Sequence, residues 1–245
     1  AWAAWVDWPS TMHADQVDVQ AWLAMSRGQP THITADVRVA NAQWQRDDGV
    51  HVQNGQGQVH VAGSWPSFKQ LVTGKGNADS EQAATVSAVL QGLKIGIGDL
   101  YNDPLQVATL GMQGRIQPVP GGASVQLDHL MLENGDIGLS GHAQWTPSST
   151  PGPGWLDARL IVAHAQLDAV HRYMPLVVDD DVRDWLKHGL LAGHVYDAHV
   201  SVRGDLPRFP FHRERDDGEF LIRGPFRDAI THYVPAEPNN PAWPR

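Results

Sequence analysis

The sequence predicts a mainly β fold: one long, curved antiparallel sheet with two or three short helices. Three observations predict it. Apolar residues recur at every second position over many short stretches. Asn-Gly and Asp-Gly pairs punctuate these stretches where hairpins would turn. Helical runs of roughly 10–15 residues, which a parallel βαβ sheet needs between its strands, are scarce.

The elements follow in chain order. "DVQAWLAMSRG" reads as a short helix closed by Gly28. "HITADVRVANAQW" is a strand with Ile33, Ala35, Val37 and Val39 on one face and Thr34, Asp36 and Arg38 on the other. "GVHVQNGQGQVHVAG" reads as two strands, Val50/Val52 and Val59/Val61, around an Asn54-Gly55 turn. In "SEQAATVSAVLQGLKIGIGDL" the start has helical character, while Leu93, Ile95 and Ile97 alternate as a strand. "ASVQLDHLMLENGDIGLSGHAQW" gives Val125/Leu127 and Leu130/Leu132, an Asn134-Gly135 turn, then Ile137/Leu139. The Pro/Gly/Ser stretch 146–155 predicts an exposed loop, either a short linker or a long hairpin connection. "DAVHRYMP" adds a helical turn before Pro175.

The best helix is "DDDVRDWLKHGLLAG". Asp179 or Asp180 caps it, Val182, Trp185, Leu186 and Leu190 form one stripe, and Gly193 stops it. A smaller unit recurs, two alternating apolar residues followed by Gly63, Gly141, Gly204 or Gly224. Its glycines mark strand bends or ends, and its irregular spacing excludes a solenoid of fixed period. The whole chain, 1–245, reads as a single elongated section, and its abrupt ends suggest a piece of a longer protein.

Composition narrows the function. The chain is 42% hydrophobic and 18% charged, a globular balance. A net charge of −9 with no basic cluster argues against nucleic-acid partners and against docking on anionic membranes. No apolar run is long enough to span a bilayer, and the start lacks the charged and apolar regions of a signal peptide. With no cysteine, disulfides, thiolate metal sites and cysteine nucleophiles are excluded.

No catalytic constellation emerges. Serine occurs in no GxSxG elbow. The "DDD" run is a helix start, and the two "RDDG" copies, Arg46–Gly49 and Arg215–Gly218, are hairpin turns. "GIGDLYNDP" lacks the third glycine and following helix of a dinucleotide loop. Thirteen histidines invite a metal reading, best at His194, Asp197 and His199, but zinc-type spacings are absent, so neither metal nor cofactor is expected. The ten tryptophans read as core and strand-end packing rather than a lipid-facing surface. The tripeptide Arg203-Gly204-Asp205 reads as the outward end of an alternating strand, with Phe209-Pro210-Phe211 turning the chain into the next.

The last third carries an ordered string: Tyr173-Met174-Pro175, the Trp185-Leu186 helix with "LLAG", a strand ending Gly204-x-Leu206, and Phe209-Pro210-Phe211. Gly218-x-Phe220, Arg227-Asp228-Ala229, Tyr233 and Trp243-Pro244 complete it. Together with "IGDLYNDPLQVATLGMQGRI" and "LENGDIGLSGHAQW", this string resembles the YhdP family of AsmA-like envelope proteins. "NNPAWP" departs from the more usual glycine before the final Trp-Pro. The resemblance implies an inner-membrane anchor helix outside this sequence and a periplasmic body. It implies a long sheet folded lengthwise into a groove that passes phospholipids between the two membranes. Implied partners are phospholipid acyl chains, the remaining sections of the parent chain and proteins of the inner and outer membranes; no nucleic acid is among them. Val200, Val202, Phe209, Phe211, Phe220 and Ile222 are the candidate groove residues. Other readings are a structural or protein-interaction β-domain with a closed, packed core, and a carbohydrate-binding or hydrolytic domain using surface Trp and Asp.

Overall fold

The computed structural model describes residues 12–45, 50–73, 83–119, 122–148, 154–209, 211 and 218–232. The first strands are β1 (Met12–His13), β2 (Gln16–Ser26), β3 (Gln29–Gln45) and β4 (Val50–Ser64), followed by helix α1 (Trp65–Thr73). Then come β5 (Ala84–Ile97), β6 (Leu105–Val119), β7 (Gly122–Glu133), β8 (Ile137–Thr146) and β9 (Trp155–Gln166). Helix α2 (Asp180–Gly189) leads into β10 (Leu190–Asp205), β11 (Gly218–Arg223) and β12 (Phe226–Thr231). Three 3-10 segments, Gly98–Leu100, Leu167–Tyr173 and Leu206–Arg208, complete the described chain.

All strands belong to one twelve-stranded sheet. From β3 to β10 each strand pairs antiparallel with the next in sequence. β1 and β2 share the outer edge of β3, and β11 and β12 share that of β10. The two edges do not pair with each other, so the sheet stays open rather than closing into a barrel.

Several sequence expectations change. "DVQAWLAMSRG" is strand, not helix: Val17, Val19, Ala21 and Leu23 alternate opposite Val39, Val37, Ala35 and Ile33. Asn54-Gly55 is not a hairpin turn but lies inside the unbroken β4. β5 is strand from Ala84 onward, including the part that reads as helical. The helix at 179–193 is capped by Asp179, whose side chain accepts from the Asp181 N–H, but it ends at Gly189, and "LLAG" opens β10. Gly141 lies within β8 rather than at a bend or end, and a Cβ there would meet the carbonyl of Arg159 on β9, while Gly204, with φ of 148°, is the penultimate residue of β10. α1 has no counterpart among the sequence expectations. Ser64 caps it, accepting from the Ser67 N–H at 3.3 Å. Of the predicted turns, Asn134-Gly135 joins β7 to β8, its Asn134 Oδ1 accepting from the Asp136 and Ile137 N–H groups. Arg46–Gly49 and the loop before Gly218 lie outside the described residues. In the 146–155 stretch, Thr146 pairs with Trp155, which makes it a hairpin connection; 149–153 lie outside the described residues.

A line of irregularities crosses the sheet near one end of its strands. Asn41, Asn54, Gly92 and Asp197 have φ of 51°, 60°, 65° and 47°. Such residues mark bulges, which bend a strand and change the phase of its alternation. β9 shifts register between Val162 and His164, opposite Asp197. Both edges break at the same level: β1 gives way to β2 beside Asn41, and β11 to β12 at Gly224-Pro225. The bulges form a crease, dividing the sheet into two leaves.

A helical segment lies at the end beyond the crease. Leu167–Tyr173 packs against β9, β10 and α2. Tyr173 Oη bonds Asn134 and Asp136 of the β7–β8 turn, and Arg172 pairs with Asp136 at 2.7 Å. Burial raises the pKa of Tyr101 and, aided by the Asp136 charge, that of Tyr173.

Candidate functional site: the apolar inner face

Registered pairing puts facing residues of neighbouring strands on the same side of a sheet. Reading the pairs across strands therefore traces rows that run along the sheet, at right angles to its strands. One row is Val19, Val37, Val59, Ala88, Met112, Leu130, Gly141, Leu160, Val200 and Ile222. The next on the same face is Ala21, Ala35, Val61, Val86, Gly114, Leu127, Ala143, Ala158, Val202 and Phe220. Neither contains a polar side chain. Nine spacings of ~4.8 Å make each row about 43 Å long.

The opposite face carries the polar side chains, with Val89, Met131 and Ile161 exposed among them. Its rows hold Asp18, Arg38 and Gln58, then Gln20, Asp36 and His60, and further on Arg159, Ser201 and Arg203. Side chains pair across strands there: His60 with Asp36 at 2.6 Å, His164 with Glu133 at 2.8 Å, Arg115 with Asp128 at 3.6 Å and Arg203 with Asp157 at 3.8 Å. Arg203 thus points outward, Asp205 ends β10, and the Arg203-Gly204-Asp205 tripeptide is a strand end. An open depression of about 710 Å³ on this side is lined mainly by outer-face residues, among them Asp36, His60, Gln113 and His129. Trp22 is exposed on β2 rather than packed as a core residue.

The phase changes at the crease keep apolar residues on one side. Val195 and Ala198 flank Asp197, yet both pack with Val162 and Ala165 in one cluster, joined by Ile137, Leu139 and Val200. Inner residues beside the crease are buried: Leu93 is 3% exposed, Val107 2% and Ala198 2%. Inner residues at the sheet edges are not: Val19 is 56% exposed and Ile222 51%. Burial is not confined to the crease: Ala88, Ala158 and Val86 within the rows are buried too, at 5%, 6% and 9%, so it is the two sheet edges that are exposed. Among the described residues, most of the buried apolar set is alanine, and the largest fully buried side chains are only Pro118 and Ser67. A closed sandwich would bury large aliphatic side chains from two facing layers. At the far end α1 packs against β3, β4 and β6.

The six residues singled out from sequence fall together. Val200 and Val202 occupy neighbouring rows on β10, opposite Ile222 and Phe220 of β11. Phe209 lies against both Phe220 and Phe211, with ring centroids at 5.2 and 5.6 Å. Val200, Val202, Phe220 and Ile222 are the last rungs of the apolar rows on the β11 side, and Phe209 and Phe211 continue from Phe220 by ring contacts. The sequence expectation does not carry the rows to β2, because it reads Asp18–Gly28 as a helix. His194, Asp197 and His199 do not converge; Asp197 is the left-handed residue of the β10 bulge. Among the described residues no group of three His, Asp or Glu is placed to hold a metal ion, and no helix is long and apolar enough to cross a membrane.

No curated protein and no solved structure matches the chain. A family model described as "YhdP protein" matches residues 56–245, from the middle of β4 through every later strand. That span is well over half of the sequence, so the chain belongs to the YhdP family.

Proposed function

We propose that this chain is a section of a periplasmic phospholipid bridge, which holds acyl chains in its apolar trough and lets them move along it. The observation that carries the reading is the pair of unbroken apolar rows across ten strands, exposed at both sheet edges. Burying each acyl CH₂ is worth ~0.8 kcal/mol, and the attraction has no preferred direction. A tail is therefore held without being pinned, and the polar headgroup stays in water at the mouth. The reading requires no catalytic residue.

Val200, Val202, Phe209, Phe211, Phe220 and Ile222 would line one end of the track. The exposed edges of β2 and of β11 and β12 suit continuation of the sheet by other sections of the parent protein, whose anchor would lie in the inner membrane. Proteins of the two membranes would meet the ends of the bridge. The rival reading, a structural or protein-interaction domain with a packed interior, fits less well, since among the described residues the buried apolar set is mostly alanine.

Native mass spectrometry of the purified chain, paired with lipid extraction, tests the proposal. Phospholipid should accompany the protein in amounts exceeding those on a β-protein of similar size. A lipid-free chain that also takes up none from vesicles would sink it.

A further inference from the structure

The two leaves of the trough are not equally complete. β7, β8 and β9 stop at the crease: the β6–β7 ladder ends at Thr109 opposite Glu133, and the β9–β10 ladder at Gln166 opposite His194. β6 runs on to Leu105, and β10 begins earlier, at Leu190. Residues 105–108 and 190–193 therefore face a gap of four strand spacings, about 19 Å. No strand fills it. The segment 167–189 does, as a 3-10 helix, a loop and α2.

This segment is attached unequally. On one side it is anchored: it packs against β9 and β10, Ala169 is buried, and a Leu167 methyl lies over Gly193, where there is no Cβ to obstruct it. On the other side it reaches the β5–β6 turn through one backbone bond, Leu176 N–H to Leu100 C=O at 2.9 Å, and a long contact from Tyr101 Oη to Tyr173 C=O at 3.5 Å. Between the two sides lie the Tyr173 and Arg172 bonds to Asn134 and Asp136. A few isolated bonds, not a ladder, close this part of the wall. Val177 and Val182 on its outside are about half exposed.

We infer that segment 167–189 is a side door in the trough wall, hinged on β10 and latched at Leu100 and Asp136, through which a two-tailed phospholipid enters or leaves partway along the track. The inference rests on the trough holding lipid. Opening carries Arg172 away from Asp136, and its guanidinium then suits a lipid phosphate, which it can bind with paired hydrogen bonds. Val177 and Val182 offer the tails apolar contact at the threshold.

The chain has no cysteine, so a Leu100→Cys/Leu176→Cys pair staples the latch without competing thiols. Uptake of fluorescent phosphatidylethanolamine from phosphatidylethanolamine/phosphatidylglycerol vesicles is followed with the staple oxidised and reduced. An Ala62→Cys/Thr85→Cys staple on the outer face, joining paired residues of β4 and β5, is the control. Oxidising the latch staple should slow uptake at least tenfold and leave the equilibrium amount of lipid unchanged; the control staple should do neither. Asp136→Ala, which weakens the latch without a disulfide, should speed uptake. In the unmodified chain the Leu176 amide should exchange hydrogen far faster than the Val162 amide. Equal uptake rates for oxidised and reduced latch, or a Leu176 amide as protected as Val162, overturn the door while the trough stands. Uptake by neither form overturns the trough and the door with it.

Discussion

Replacing Val202 by aspartate separates a lipid track from a structural face. Val202 sits on the inner face between Ala158 of β9 and Phe220 of β11, in a row with no polar member. A tail lying on that row loses contact with two methyl groups, worth ~0.8 kcal/mol each. That is about 1.6 kcal/mol, or roughly fifteenfold in affinity at 1.4 kcal/mol per tenfold. A carboxylate unpaired against hydrocarbon adds to the loss, so this figure is a floor. Ser201→Asp introduces the same charge one residue away, on the outer face, opposite Arg159 and Leu221. The assay is titration with a fluorescent phospholipid, with urea unfolding of each variant as a check on folding. Val202→Asp should lose at least about tenfold in affinity and Ser201→Asp almost nothing. If the two variants bind alike while both remain folded, the inner face is not the lipid surface.

Three further outcomes follow from the geometry. Asn54→Val forces a β-branched residue into a left-handed conformation and should cost about 1–2 kcal/mol by urea denaturation, whereas Asn54→Gly should be close to neutral. Arg203→Ala removes only an exposed pair with Asp157, so the urea midpoint should move by less than about 0.5 kcal/mol in stability. Tyr101 and Tyr173 have pKa values raised above 10.0 in the folded state, so the folded chain holds these protons longer than the unfolded one. Their contribution is intact below pH 10 and is lost as pH rises through the raised values. Alkaline unfolding should accordingly be blunted in Tyr101→Phe, read as a flatter stability profile above pH 10.

The sheet was legible in the sequence wherever alternation and turn chemistry agreed, as from Val125 to Leu139 around Asn134-Gly135. It was misread where a local signal outweighed the alternation. Asn54-Gly55 has the composition of a hairpin turn, yet the same capacity for positive φ serves a bulge inside a strand, and only the pairing of β4 with β3 and β5 decides between them. "DVQAWLAMSRG" contains good helix formers ended by glycine, but the period-two face of Val17, Val19 and Leu23 is satisfied by β3. α1 did carry signals, a capping Ser64 and Pro66 in the first turn, where a proline lacks no needed donor. The candidate residues on β10 and β11 could be named because each lies in an alternating stretch. The rows they belong to could not, because register across strands is a long-range property that a single strand does not encode. The gap beyond the crease depends likewise on where three strands stop relative to their neighbours.

From β4 to β9 each strand bonds only to the strands before and after it in the chain. Such a meander has no built-in number of members. A hairpin could be duplicated or lost without altering the surroundings of any but its immediate neighbours, much as repeats are gained and lost in solenoids. Reach is thereby uncoupled from architecture, and a lineage can match the distance it must span by copying one small unit. Assembly benefits too: each pairing closes a short stretch of chain, so contact order stays low for an all-β protein, and the sheet can form strand by strand from either side.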